Sequence, residues 1–392
     1  MQIYLVGGAV RDTLVGLPVK DHDWVVVGAS PQQMLDQGFI PVGKDFPVFL
    51  HPRSKEEYAL ARTERKTAPG YRGFAVHAAP DVTLEQDLAR RDLTINAMAV
   101  TAASVRGDGS FDPQTTLADP FHGKRDLHDR VLRHASGAFR EDPVRILRVA
   151  RFAARFADFT VAPETIALMR TMVAHGEVQA LVPERVWQEL ARGLMEATPS
   201  HLFQVLRACG ALGAVLPELG SDSNSGLGHG LRALDLAAGR RMPLPSRFAC
   251  LCLPLAPDQH AIASLCQRLR VPTECRELAA VAARELSLIH QCITLDAAAL
   301  VHLLERCDAF RKPARFEELL RVGSCDAAAR ATSPGAAYPQ RQHLLDALAA
   351  AQAVDTETVA ARAHAAGQAG KQVGAWIHDA RVAAVAATSR PS

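Results

Sequence analysis

Apolar residues near the start of the chain fall in short runs punctuated by glycine and proline, the texture of alternating strands and helices. Ile3 to Val6 predicts a strand that runs into a Gly7-Gly8 turn, and Ala9 to Val15 a short helix ending near Gly16 and Pro18. Trp24 to Val27, aromatic and then β-branched, predicts a buried strand. Ser30-Pro31 joins an N-cap residue to a proline at the first helical position and opens a helix through Leu35. Phe46 to His51 and Glu57 to Thr63 predict two more strands, Pro69 to Gly73 a flexible loop, and Leu84 to Ala99 a stretch containing a helix.

The pattern changes near residue 140, where helix formers take over and strand signals fade. Phe139 to Phe156, Pro163 to Val173, Pro183 to Met195 and His201 to Leu212 all carry helical spacing, Ser221 to Gly226 marks a linker, and helical stretches continue into an alanine-rich tail from Asp346 that frays over Ser389 to Ser392. The expected fold is α+β: a small mixed α/β head over residues 1–138, a helical neck over 139–220, and a helical body and tail over 221–392. No solenoid-like repeat is evident.

A length of 392 residues calls for two or more domains. No apolar run is long enough to cross a bilayer, and the first residues lack the basic start and apolar core of a secretory signal. All eight cysteines lie from Cys209 onward without metal-site or redox spacing, which predicts buried reduced thiols in a cytoplasmic protein. The net charge of +2 gives no sign of nucleic-acid binding, so any RNA must be held by locally clustered basic residues.

Two short patterns carry chemistry. In Gly7-Gly8-Ala9-Val10-Arg11-Asp12 a strand runs through glycines into a helix, so a phosphate can approach free backbone N–H groups, with Arg11 adding a charge-assisted contact. An ordinary strand-to-helix turn is the plainer reading of that motif alone, and it matches neither Walker A nor Gly-x-Gly-x-x-Gly. In Asp21-His22-Asp23, ahead of a strand, residues two apart share a face about 6.5–7 Å apart. Two carboxylates so placed suit Mg2+, and a two-metal pair activates an attacking oxygen and neutralises a leaving pyrophosphate. Since both patterns fall within the first 25 residues, one substrate can touch both.

With these two patterns the chain resembles the bacterial tRNA nucleotidyltransferases and poly(A) polymerases of the polymerase-β-like superfamily. Leu60 to Glu64, Arg90 to Ala97, Glu141 to Arg148 and Glu184 to Leu190 resemble further motifs of that family, in its order. The resemblance implies template-independent addition of C, C and A to the 3′ end of tRNA from CTP and ATP, with Mg2+ on Asp21 and Asp23. It implies that Gly8, Arg11, Arg91, Arg145 and Arg148 position nucleotide, that Asp92 handles the sugar hydroxyls, and that Asp142 and Arg145 read the base. One acceptor beside one donor fits the amino group and ring nitrogen of cytosine and adenine and disfavours uracil and guanine. Asp142 before Pro143 reads equally as a helix N-cap, and the two roles can coexist. Glu64 is a candidate third carboxylate.

Arg145, Arg148, Arg151 and Arg155 form one stripe on a helix whose other faces are apolar, so these arginines need anions, a part that nucleotide or tRNA phosphates would play. Some relatives carry a C-terminal phosphohydrolase domain with a metal-binding His-Asp dyad. Leu253-Pro254 stands where that dyad is expected, which implies a degenerate region without hydrolase activity, with His229 either a remnant ligand or a structural histidine. His128-Asp129 and His378-Asp379 lack a surrounding ligand set in the sequence and are discounted. The rival functions are a poly(A) polymerase, disfavoured by the near-neutral tail, a CC-only adding enzyme, governed by the loop around Pro69 to Gly73, and a non-catalytic RNA-binding protein, disfavoured by the intact aspartate pair.

Overall fold

The computed structural model describes residues 1–42, 47–66, 74–220, 226–331 and 337–388. The expected loop at Pro69 to Gly73, all but Gly226 of the linker at Ser221 to Gly226, the fraying end from Ser389, Phe46 and the side chain of Glu64 lie outside what is described. The fold is α+β and the chain forms two compact units, Met1–Gly193 with His201–Val215, and Leu194–Ser200 with Leu216–Ser392.

The first unit opens with β1 (Gln2–Val6), α1 (Gly8–Leu14), β2 (Asp23–Val27), α2 (Pro31–Asp36), β3 (Ile40–Val42), β4 (Val48–Leu50) and β5 (Glu57–Leu60). Then come the ribbon β6 (Thr63–Lys66) and β7 (Phe74–His77), α3 (Leu84–Ala89), β8 (Ala99–Thr101) and α4 (Gly123–His128). Six strands make one sheet in the order β3-β4-β5-β2-β1-β8. Ser30 caps α2 as read from the sequence, in a reciprocal capping box with Gln33. Val6, Val25, Leu88, Ala97 and Ala99 pack together beneath the sheet, and Trp24 stacks on Tyr58 with ring centres 5.5 Å apart.

One expectation changes. The strand expected over Glu57 to Thr63 is divided: β5 belongs to the main sheet, while Thr63 starts the separate β6-β7 ribbon. The Leu84-to-Ala99 stretch contains the expected helix, α3, through Ala89; a 3-10 turn follows at Thr94–Asn96, and Ala99 pairs with Val6 as the start of edge strand β8. The Asp92 carboxylate accepts the N–H of Leu93 and the side-chain amide of Asn96, local bonds that compete with a helical ladder.

Beyond the sheet the unit continues with the pair β9 (Val131–Leu132) and β10 (Thr160–Val161), then α5 (Val144–Arg155), α6 (Pro163–Ala174), α7 (Pro183–Leu194), α8 (Ser200–Ala208) and α9 (Leu212–Val215). The expected Phe139-to-Phe156 helix is a short 3-10 turn, Gly137–Glu141, and then α5, because Pro143 lacks the N–H that a continuous helix needs. The second unit is helical: α10 (Pro217–Gly220), α11 (Leu227–Gly239), α12 (Leu244–Cys252), α13 (Gln259–Arg268), α14 (Thr273–Gln291), α15 (Ala297–Arg306), α16 (Pro313–Arg330), α17 (Pro339–Gln352), α18 (Thr356–Ala365) and α19 (Lys371–Thr388). No described helix is long and apolar enough to cross a membrane. All eight cysteines are free and buried.

Candidate active site

The antiparallel register of β1 and β2 sets Val6 opposite Asp23, so the glycine turn at the end of β1 lies beside the aspartate that starts β2. Gly7 has φ +71° and ψ −129°, a backbone conformation open essentially to glycine alone. A Cβ there would sit 2.9 Å from Nη1 of Arg91 and 3.9 Å from Oδ2 of Asp23. The bare α-carbon of Gly7 is therefore where a carboxylate and a guanidinium meet. Asp21 and Asp23 are both exposed, while His22 turns to Glu56, with Nδ1 3.0 Å from the carboxylate. The two exposed carboxylates are hard oxygen donors, a set that fits a divalent cation of the magnesium type.

Arg91 is held from behind by Asp87, which sequence reading passed over. Asp87 is fully buried and pairs with Arg90 at 2.7 Å and with Arg91 at 3.3 Å, and it accepts the N–H of Arg62. Burial pushes its pKa up, but the charges of Arg90 and Arg91 and the hydrogen bonds outweigh that and leave it below the usual carboxylate range. Nε of Arg91 is buried without a hydrogen-bond partner, so this guanidinium keeps an unused donor.

Arg11 and Asp92 lie deeper. Arg11 is buried, donates to Asp12 and Asn96, and sits over the rings of Phe152 and Phe156 at 5.2 and 5.3 Å. Burial lowers its pKa, countered by the adjacent Asp12 charge. In Asp92, Oδ1 accepts from Leu93 and Asn96 while Oδ2 accepts from Nε of Arg148 at 2.7 Å. Burial alone would raise the Asp92 pKa, yet Arg148 and these donors hold it far below the ordinary value. Gly8 starts α1, and a Cβ on it would meet only Nη2 of Arg11, at 3.5 Å.

The arginine stripe on α5 has acceptors within the protein. Arg145 donates to the carbonyl of Ala138, Arg148 pairs with Asp92, Arg151 with Glu189 at 2.7 Å, and Arg155 with Asp12 at 2.9 Å. Asp142 accepts the N–H of Val144, the first residue of α5, but the N-cap position itself is Pro143 and carries no side-chain cap, so the capping role read for Asp142 falls one residue out of place. It also takes a bidentate pair from Arg185, at 3.1 and 2.7 Å, a partner that sequence reading missed. Arg185 lies within the Glu184-to-Leu190 motif, which was the available signal.

In the second unit, His229 is tied to Asp326 by a 2.5 Å contact, and Asp326 also meets His290 and Arg330. A Cβ on Gly230, the residue after His229, would lie 2.7 Å from Cγ of Pro254. With a leucine and a proline there, no dyad exists to share a metal with His229 and Asp326.

Residues 3–133 match the poly A polymerase head domain, and residues 158–222 the probable RNA and SrmB-binding site of polymerase A. The chain is 57% identical to the multifunctional CCA protein of Polaromonas naphthalenivorans (strain CJ2), over 98% of both chains. It is also 57% identical to that of Variovorax paradoxus (strain S110), over 99% of both. A CCA-adding enzyme in apo form II superposes with a TM-score of 0.70 at 20% identity, covering 100% of this chain and 89% of that one. The Bacillus stearothermophilus CCA-adding enzyme in complex with CTP gives 0.67 at 24% identity, covering 98% and 89%. The structural likeness speaks for the fold, and the sequence identity for the family.

Proposed function

The chain belongs to the family of multifunctional CCA proteins, and we infer that it adds C, C and A in turn to the 3′ end of tRNA, taking CTP and ATP and releasing pyrophosphate. The observation that carries this reading is the meeting of Asp23 and Arg91 at the bare α-carbon of Gly7. Acidic oxygens for a cation and a cationic group for a triphosphate stand there on either side of a backbone that a phosphate can approach.

Enzymes with polymerase-β-like heads use divalent metals. Here the ion is read as Mg2+ on Asp21 and Asp23, where it would supply activation of the tRNA 3′ hydroxyl and charge neutralisation on the leaving pyrophosphate. The 3′ oxygen forms its bond to the α-phosphorus of CTP or ATP as the bond to pyrophosphate breaks. Arg91, kept pointing at Gly7 by Asp87, takes the triphosphate through Nη1, and Gly8 leaves backbone room for phosphate oxygens. Asp92 orients Arg148 and Asn96, and Arg11 braces Asn96 from the buried side. A carboxylate has about four lone-pair sites, so Asp92 retains capacity for a sugar hydroxyl.

Asp142 and Arg145 read the amino group and acceptor nitrogen of the base, and Arg185 fixes the plane of the Asp142 carboxylate for that task. Residues 1–138 serve as catalytic head, 139–220 as nucleotide-selecting neck, and 221–392 as a tRNA-binding body without hydrolase activity. The protein works in the cytoplasm, in keeping with eight free, buried cysteines.

The test is incorporation of labelled CTP and ATP into tRNA that ends at its discriminator base. Wild type adds C, C and A, whereas Asp21→Ala loses incorporation and keeps tRNA affinity within about twofold, since removing one exposed carboxylate takes no phosphate contact away. Retained activity in Asp21→Ala would overturn the metal role. Incorporation of ATP alone would identify a poly(A) polymerase instead, and arrest after two C additions a CC-adding enzyme.

A further inference from the structure

His378-Asp379 lacks neighbouring ligands in the sequence, but the fold supplies two. His302 and Glu305 share one face of α15 at i,i+3 spacing, and His378 reaches them from α19. Nδ1 of His378 lies 3.0 and 3.2 Å from Oε1 and Oε2 of Glu305, and Nδ1 of His302 lies 3.5 Å from Oε2. The imidazole centres are 4.3 Å apart. One ligand atom from each of the three residues falls within 4.8 Å of the others, the one such group of three or more among the described residues.

We propose that His302, Glu305 and His378 form a second metal site, for Zn2+ or a similar borderline divalent cation, that clasps α19 to α15. Two ligands each about 2.0–2.1 Å from a tetrahedral ion stand about 3.3–3.4 Å apart, so closing around zinc draws inward three ligand atoms that already lie within 4.8 Å of one another. Two imidazoles and one carboxylate suit zinc, nickel or cobalt better than magnesium, which separates this site chemically from the aspartates of the head. His302 is about two-thirds exposed, so the fourth position faces water and the ion has a path in.

The clasp meets a structural need. Val385 is the only fully buried residue on α19 among those described, and Arg381 lies 3.8 Å over the ring of Phe310 one turn beyond His378. A metal between His378 and α15 adds a crosslink to an otherwise thin apolar attachment. The buried cysteines compete poorly, since burial pushes Cys266 and Cys292 up to about 11 and Cys275 and Cys307 up to about 12.

The experiment uses the full chain carrying Asp21→Ala and Asp23→Ala, stripped with chelator and equilibrated with micromolar zinc chloride. Bound zinc after gel filtration, and the visible absorption of a cobalt-substituted sample, report the site, and limited proteolysis reports release of α19. The expected result is about one equivalent of zinc, intense tetrahedral-type cobalt bands, and α19 cleavage slowed about tenfold by zinc. Adding His302→Ala and His378→Ala removes all three effects, and Glu305→Gln, which keeps the shape of the side chain, weakens them. Zinc retained undiminished in the double histidine variant, zinc lost only on His229→Ala, or no zinc retained by the parent would each overturn the proposal. None of these readouts depends on nucleotide transfer.

Discussion

Replacing Gly7 with alanine probes the centre of the site, and its cost can be worked from two separate distances. The backbone stands at φ +71° and ψ −129°, and holding an L residue in such a region costs about 1–3 kcal/mol. For a unit of this size that lowers Tm by about 2–4 °C per kcal/mol. The new Cβ would also lie 2.9 Å from Nη1 of Arg91, about 0.5 Å inside ordinary contact, and the guanidinium is the end of a flexible chain that can yield. Arg91 therefore moves by about half an ångström, and since a misplacement of 1 Å can cost about 100-fold, kcat for CTP addition should fall about tenfold. Gly16→Ala is the control: it too sits at φ +71°, but nothing lies within 4 Å of its Cβ. It should lose stability to backbone strain while keeping kcat. The measurements are thermal unfolding and single-turnover CTP incorporation on all three proteins. A Gly7→Ala enzyme with wild-type Tm and kcat, or a Gly16→Ala enzyme equally impaired in turnover, would refute the assignment of Gly7 as the contact point between backbone, Arg91 and substrate.

Asp87→Asn should lower both stability at neutral pH and kcat, because Arg90 and Arg91 lose their buried anchor. The folded-state pKa of Asp87 is depressed, so its contribution is fully present above the unfolded value of about 3.9 and is lost as pH falls through and below that value. Urea midpoints should accordingly fall between pH 5 and 3 less steeply in Asp87→Asn than in wild type, with Asp92 and Asp326, also depressed, keeping part of the slope; parallel acid limbs would contradict this. Arg185→Met removes the bidentate hold on a partly exposed carboxylate, so discrimination of CTP and ATP against UTP and GTP should drop by about 1–2 kcal/mol, roughly tenfold or more in relative kcat/KM, while unchanged selectivity would remove Arg185 from base reading.

Short-range signals in the chain settled several features. Ser30 and Gln33 form the capping box that Ser30-Pro31 announces, and Trp24 to Val27 is buried sheet because β-branched and aromatic side chains fill a pleated surface. The glycine pair and Asp21-x-Asp23 could be singled out because each is written within a few residues. The register that sets Val6 opposite Asp23 is a property of the folded sheet, and so is the reach of Arg91 to a glycine far back in the chain. Periodicity did not show where the helix within Leu84 to Ala99 ends: after α3, Asp92 takes local hydrogen bonds and an edge strand follows.

Charge pairing was the least legible. The α5 stripe shows that its arginines need anions, but only packing reveals that Asp92, Glu189 and Asp12 supply them. The same holds for Asp142 with Arg185, 43 residues apart, and for His378 with His302 and Glu305. The physical reason is common to all of them. A local pattern fixes which face of a strand or helix is apolar and where an element starts, because those depend on neighbours a few residues away. Which carboxylate meets which guanidinium depends on how whole elements pack and how far each side chain reaches, and only the tertiary structure decides that.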